Sequence, residues 1–197
     1  MKNTMKIAFA GILIALMFVL SWTVLGMIPL GVASATTVFI PVCVGIIFFD
    51  DFKYAVVFGL FFGIVSLVRS FVPQGFLDPY FQNPIVSVLP RLLVGIVGYL
   101  IYKGLTRLMK NRIIVSSLAG GFIALINTIF TMGILILVYF QDVNQTFADN
   151  GFSILTALKT ISLLNMLPEI AIGAILTPII IKVLDKNSDL RMIIEET

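Results

Sequence analysis

Long apolar runs alternate with short polar or turn-forming stretches along the whole chain, at about 7–27, 35–49, 54–71, 85–102, 113–140 and 160–184. Turn signals such as Ile28-Pro29-Leu30-Gly31 and Asp78-Pro79 separate them. A hydrocarbon core of about 30 Å takes roughly 20 apolar residues at about 1.5 Å rise each. The pattern therefore predicts an all-α integral membrane bundle of six transmembrane helices in one domain over 1–197. The stretches at 72–84 and 141–159 mix aromatics with Asn, Gln and Asp, and are expected to be the two long connections. No internal repeat or low-complexity segment interrupts this order.

Composition strengthens the pattern. Hydrophobic residues make up 59% of the 197 positions and charged ones 12%, which leaves too little polar surface for a soluble domain or soluble enzyme. Mean hydropathy is +1.11 and the pI is near 9.1, but the basic residues are scattered between apolar runs, unlike a nucleic-acid-binding face. They act as topology signals. Lys2, Lys6, Lys53, Lys103, Arg107, Lys110, Arg112, Lys182, Lys186 and Arg191 fall at the termini or in one alternating set of connections, against Lys159 alone in the other. Both termini are accordingly expected in the cytoplasm, with three loops outside. Lys2 and Lys6 before Ile7–Leu20 imitate a signal peptide, with Ala33-Ser34-Ala35 as its cleavage site, but the apolar run ends too far upstream. The segment is kept as the first helix. Cys43, the single cysteine, lies in an apolar run and is read as packing.

With no histidine, the chain lacks the common zinc-protease and nucleophile–base arrangements. It also lacks a Gly-rich phosphate loop, so it has no visible means of hydrolysing ATP, and no cofactor is expected. Asp50-Asp51 fits a solvated turn beside Lys53. Charges inside or beside spans are costly, which draws attention to Arg69, Arg91 and Glu169. Helical spacing places Asn83, Ser87 and Arg91 on one stripe, although Pro84 favours a loop or N-terminal position for Asn83. Arg91 could hold a carboxylate through parallel hydrogen bonds, snorkel to headgroups, or pair with Glu169. Asn165, Glu169 and Gly173 form a second stripe, and Asn127 with Thr131 a third. These groups fit either a small polar ligand or hydrogen bonds between helices. Arg69, at the end of its helix, is read as an interfacial anchor. Gly11 and Ala15 form a small-x-x-x-small pattern that serves either internal packing or partner docking.

Together, Gly11 and Ala15, the Ile28-Pro29-Leu30-Gly31 loop, Phe39-Ile40-Pro41, the Gly59/Gly63 helix ending in Ser66-Leu67-Val68-Arg69, and Asn83-Pro84 through Val88-Leu89-Pro90-Arg91 resemble the substrate-binding S components of energy-coupling factor (ECF) vitamin transporters. The similarity covers about residues 7–105 and looks most like the pantothenate-type members. It implies a bacterial membrane protein that binds a vitamin near its outer face and docks onto one T component and two ATPase subunits. Gly11 and Ala15 map to the T-facing residues, with Gly11 departing from the usual pair of alanines. Substrate contacts are expected from Arg91, Asn83, Asn127, Asn165, Ser87 and Glu169. The connection at 28–35 and outer loops 3 and 5 are expected to close the site. Two competing classes are a membrane enzyme using Glu169 or Asp50/Asp51, and a structural membrane adaptor.

Overall fold

The computed structural model describes residues 2–29, 34–72, 77–149 and 153–187. Leu30, Gly31, Ala33 and Arg191, used above as turn, cleavage-site or topology signals, lie outside the described residues.

Among the described residues, six α-helices follow one another: α1 (Lys2–Ser21), α2 (Ile40–Phe49), α3 (Phe52–Ser70), α4 (Pro84–Leu108), α5 (Arg112–Asp149) and α6 (Ile154–Lys186). A 3₁₀ helix at Asp78–Gln82 precedes α4, and a short antiparallel hairpin, β1 (Met27–Pro29) with β2 (Ser34–Thr36), joins α1 to α2. Among the described residues, five helices are long and apolar enough to cross a membrane, and α2 is a shorter apolar one. The protein is a helical membrane bundle.

The second apolar run, expected to be helical from 35, starts its helix only at Ile40 because 34–36 pair as β2. Pro41 then supplies a φ suited to the first helical turn. All ten α2 residues are buried. A helix that is apolar all round is stable only inside a bundle, and α2 packs against α1, α3, α4, α5 and α6. At about 15 Å, it spans only half of a hydrocarbon core of about 30 Å.

The connection expected at 141–159 is instead largely helical, since α5 continues to Asp149 and α6 begins at Ile154. Its polar composition conceals an i, i+4 apolar pair. Val143 and Phe147 are buried against Leu77, Val86 and Leu135, and that packing extends the helix. The extension is not straight, because Tyr139 has φ −126° and ψ 33°, outside the helical region.

At the end of the bundle remote from the hairpin, the Asp50-Asp51 turn is structural. Asp50 caps α2 in the left-handed region at φ 49° and pairs with Lys103 at 2.7 Å. Asp51 accepts the Lys53 amide at 2.8 Å as the N-cap of α3. Arg112 and Asp185 join α5 to α6 at 3.0 Å.

Two helix pairs approach so closely that side chains are excluded between them. A Cβ on Gly95 of α4 would lie 2.4 Å from the Ala55 carbonyl oxygen and 3.0 Å from Gly59 Cα on α3. A Cβ on Gly173 of α6 would meet the Gly120 carbonyl oxygen of α5 at 2.5 Å. Small residues let membrane helices gain backbone-to-backbone packing that the lipid cannot drive hydrophobically.

Gly95→Ala is therefore expected to destabilise the bundle by about 1–3 kcal/mol, the usual range for overpacking. Gly104→Ala, where an added methyl meets nothing within 4 Å, should be neutral or stabilising by up to about 1 kcal/mol through helix propensity. Thermal unfolding of both variants in the same detergent checks the contrast, and equal behaviour would refute the close crossing.

Candidate functional site

Because α2 is short, the space beyond its N-terminal end is left to the surrounding helices and the hairpin. A cavity of about 260 Å³ lies there, with Val38 on its wall just before α2. Its polar lining includes Arg69 of α3, Arg91 of α4, Asn127, Thr128 and Thr131 of α5, and Asn165 and Glu169 of α6. Met27 and Thr36 of the hairpin, with Phe62, Val65 and Phe81, supply further wall. The cavity occupies the end of the bundle opposite the Lys103–Asp50 and Arg112–Asp185 pairs.

Arg91 is 9% exposed. Its placement follows from Pro90, which has no N–H and so leaves the Val86 carbonyl without its ordinary helical donor. The Arg91 Nη1 donates to that carbonyl at 3.1 Å. The guanidinium also lies over the rings of Phe81 at 5.1 Å and Phe62 at 5.9 Å, which offer a cation their negative faces. Its Nε makes no hydrogen bond among the described residues. Neither snorkelling nor an ion pair accounts for Arg91: the side chain is buried, and Glu169 acts on it only through space.

Glu169 is 3% exposed. Its Oε1 accepts the Thr36 backbone N–H at 2.9 Å, and its Oε2 accepts the Thr128 hydroxyl at 3.1 Å. Pro168 precedes it inside α6. The facing oxygens Asn127 Oδ1, Thr131 Oγ1 and Asn165 Oδ1 are buried and have no hydrogen-bond partner among the described residues. Unpaired buried polar atoms are expensive, so this cluster is chemically suited to a polar guest.

The polar stripes are thus partly brought together: Arg91, Asn127, Asn165 and Glu169 share the cavity, while Asn83 and Ser87 do not line it. Asn83 Oδ1 accepts the Ile85 amide at 2.9 Å as the N-cap of α4. Its Nδ2 donates to the Tyr139 hydroxyl at 3.0 Å, where α5 leaves helical geometry. Ser87 donates its hydroxyl to the Phe81 carbonyl and is fully buried. Pro84 starts the helix at 84 and turns Asn83 into a cap, and the same turn brings Phe81 over Ser87.

Arg69 is not an interfacial anchor. It is 8% exposed and lines the cavity. Its Nε donates to the Ser21 carbonyl at 3.1 Å and its Nη1 to the Val72 carbonyl, while its guanidinium lies 5.7 Å from the Trp22 ring. Ser66, Arg69 and Ser70 all line the cavity, and their i, i+3, i+4 spacing was the signal that would have found it. Thr36 and Thr128 carried no comparable sequence signal.

Gly11 and Ala15 are exposed on α1, and a Cβ on Gly11 would meet nothing within 4 Å. The small stripe therefore does not serve packing within the described chain.

A polar, charge-bearing cavity enclosed by apolar helices defines a membrane-embedded binding protein. The family profile described as ECF transporter, substrate-specific component, matches residues 5–181, and the chain belongs to that family. It is a multi-pass membrane protein and a substrate-binding transporter subunit, not an enzyme, and membership implies association with T and ATPase modules and a small-molecule substrate. No curated protein matches the chain in sequence.

The Asn83–Tyr139 bond generates a prediction. Tyr139→Phe should destabilise the bundle by about 0.5–1.5 kcal/mol, the net contribution of an ordinary hydrogen bond. In a double-mutant cycle with Asn83→Ala, most of that loss should disappear, since the bond is already broken. Additive losses in chemical unfolding would show that the two side chains do not act together.

Proposed function

We propose that the cavity captures a small carboxylate-bearing vitamin, pantothenate, at the outer face of a bacterial cell membrane, as one substrate-binding domain. The captured vitamin is then taken up at the expense of ATP by a T component and two ATPase subunits. The observation that carries this reading is the buried Arg91. Nη1 is occupied by Val86 and the buried Nε has no partner among the described residues, and the Nε–Nη2 side of a guanidinium is a fork that matches a carboxylate with two parallel hydrogen bonds. Pantothenate also has an amide and two hydroxyls, which complement Asn127, Thr131 and Asn165. The N-terminal end of α2 faces the same space, and its dipole favours an anion there. The Lys/Arg asymmetry supports cytoplasmic termini, which puts the cavity in the outer half of the membrane. Exposed Gly11 and Ala15 support close approach of a T-component helix.

Calorimetry on folded protein against a panel of B-group vitamins tests the ligand. Arg91→Ala should weaken pantothenate by about 10- to 150-fold, corresponding to about 1.5–3 kcal/mol for a charge-assisted bond. Arg91→Lys should recover only part, because an ammonium keeps the charge but loses the fork. A pantothenate analogue with its carboxylate converted to an amide should bind weakly to native protein and be little affected by Arg91→Ala. Equal weakening of acid and amide would show that Arg91 holds the fold rather than the vitamin.

Replacing both Gly11 and Ala15 by Leu should reduce uptake by the assembled transporter while leaving vitamin binding to the isolated subunit intact. Unchanged pull-down of the T component would rule out docking through this stripe.

A further inference from the structure

Glu169 sits in the same cavity as Arg91, yet its carboxylate has no reason to touch an anionic guest. An anionic group offers acceptors and no donor, and each Glu169 oxygen already serves as an acceptor. The donors come from separate parts of the chain: Thr36 N–H belongs to β2 and Thr128 to α5. Thr36 pairs with Met27 across the hairpin, but its N–H is directed to α6, 133 positions away in sequence. Among the described residues, the remaining hairpin bonds are local. Thr36 Oγ1 donates to the Gly26 carbonyl at 3.2 Å, Thr37 N donates to the same carbonyl at 2.9 Å, and Thr37 Oγ1 donates to the Leu25 carbonyl at 2.7 Å. These fold the hairpin onto itself without fixing its height over the cavity. The Thr36–Glu169 bond links it to α6, and the two hairpin residues on the cavity wall, Met27 and Thr36, are the ladder partners at that point.

We propose that Glu169 is a positioning residue: by accepting the Thr36 amide it holds the β1–β2 wall against the bound molecule, and so controls how long the ligand stays. This inference rests on the cavity being the substrate site and on its guest being anionic, but not on that guest being pantothenate. Glu169 acts through a hydrogen-bond acceptor and not through charge directed at the ligand. A glutamine therefore retains the function, because its amide oxygen still accepts from Thr36, while the Thr128 hydroxyl can turn to accept from the amide nitrogen.

The test uses the full chain in lipid nanodiscs. Trp22, the one tryptophan in the sequence, packs against Arg69 on the cavity wall and provides a fluorescence signal for stopped-flow mixing with pantothenate. Glu169→Ala is expected to raise the dissociation rate about tenfold or more, with a small change in association rate. Glu169→Gln is expected to stay within about threefold of native. Amide hydrogen exchange of the unliganded protein over 27–29 and 34–37 supplies a readout independent of any ligand: Glu169→Ala should accelerate exchange at Thr36, and Glu169→Gln should not. Unchanged exchange at Thr36 in Glu169→Ala, or equal damage from Ala and Gln, would overturn the proposal. Native protein that ignores pantothenate while Thr36 exchange responds to Ala alone would sustain the positioning role and refute the substrate assigned above.

Discussion

Inside a bilayer every backbone polar group has to find a partner within the protein, because hydrocarbon offers none. Two of the helix-interior prolines show how the chain meets that constraint. Pro90 releases the Val86 carbonyl, and Arg91 takes it. Pro178 releases the Ala174 carbonyl, and the Ser117 hydroxyl of α5 takes it at 2.7 Å. The first substitution tethers a guanidinium in the interior by one nitrogen. The second ties α5 to α6 close to the Gly120/Gly173 crossing. A helix defect thus becomes a fixed side chain in one place and a helix contact in the other.

The cavity has an equally simple origin. Five long helices surround a central one of ten residues, and no side chain from α2 can reach the space beyond its own end. The hairpin fills part of that space from above. What remains is lined by α3 through α6, whose relative heights depend on close backbone contacts. A Cβ on Gly59 would lie 2.8 Å from the Arg91 carbonyl oxygen, so the α3/α4 crossing sits at the residue that brings the charge. Packing and site are therefore set by the same contact, and a shift in one carries the other.

Burying two arginines and a glutamate in one bundle is tolerable only because each is held by several groups. Arg69 uses two backbone carbonyls, Arg91 one carbonyl and two aromatic faces, and Glu169 two donors. Arg69 and Glu169 also tie down the two ends of the α1–hairpin segment, at Ser21 and at Thr36.

The run lengths and the 3.6-residue period were enough to identify a helical membrane bundle and to draw attention to Arg91, Asn127, Asn165 and Glu169, which share one cavity, since a polar residue repeated at helical spacing in an apolar run is visible in one dimension. The same reasoning grouped Asn83 and Ser87 with them, but these two do not line the cavity: Asn83 caps α4 and bonds Tyr139 of α5, and Ser87 bonds the Phe81 carbonyl. It also took Arg69 for an anchor, because a cation near a helix end looks the same in sequence whether it faces lipid headgroups or a cavity. Polar composition hid the helical stretch after Tyr139, whose stability comes from Val143 and Phe147 finding Leu77 and Val86. Sequence alone determined which residues face one side of each helix. Tertiary structure decided which sides meet: Glu169 with a hairpin amide, Asn83 with Tyr139, and Arg69 with Ser21. Those meetings depend on glycine-permitted crossings and on the shortness of α2, distances between helices that no periodicity within a single helix encodes.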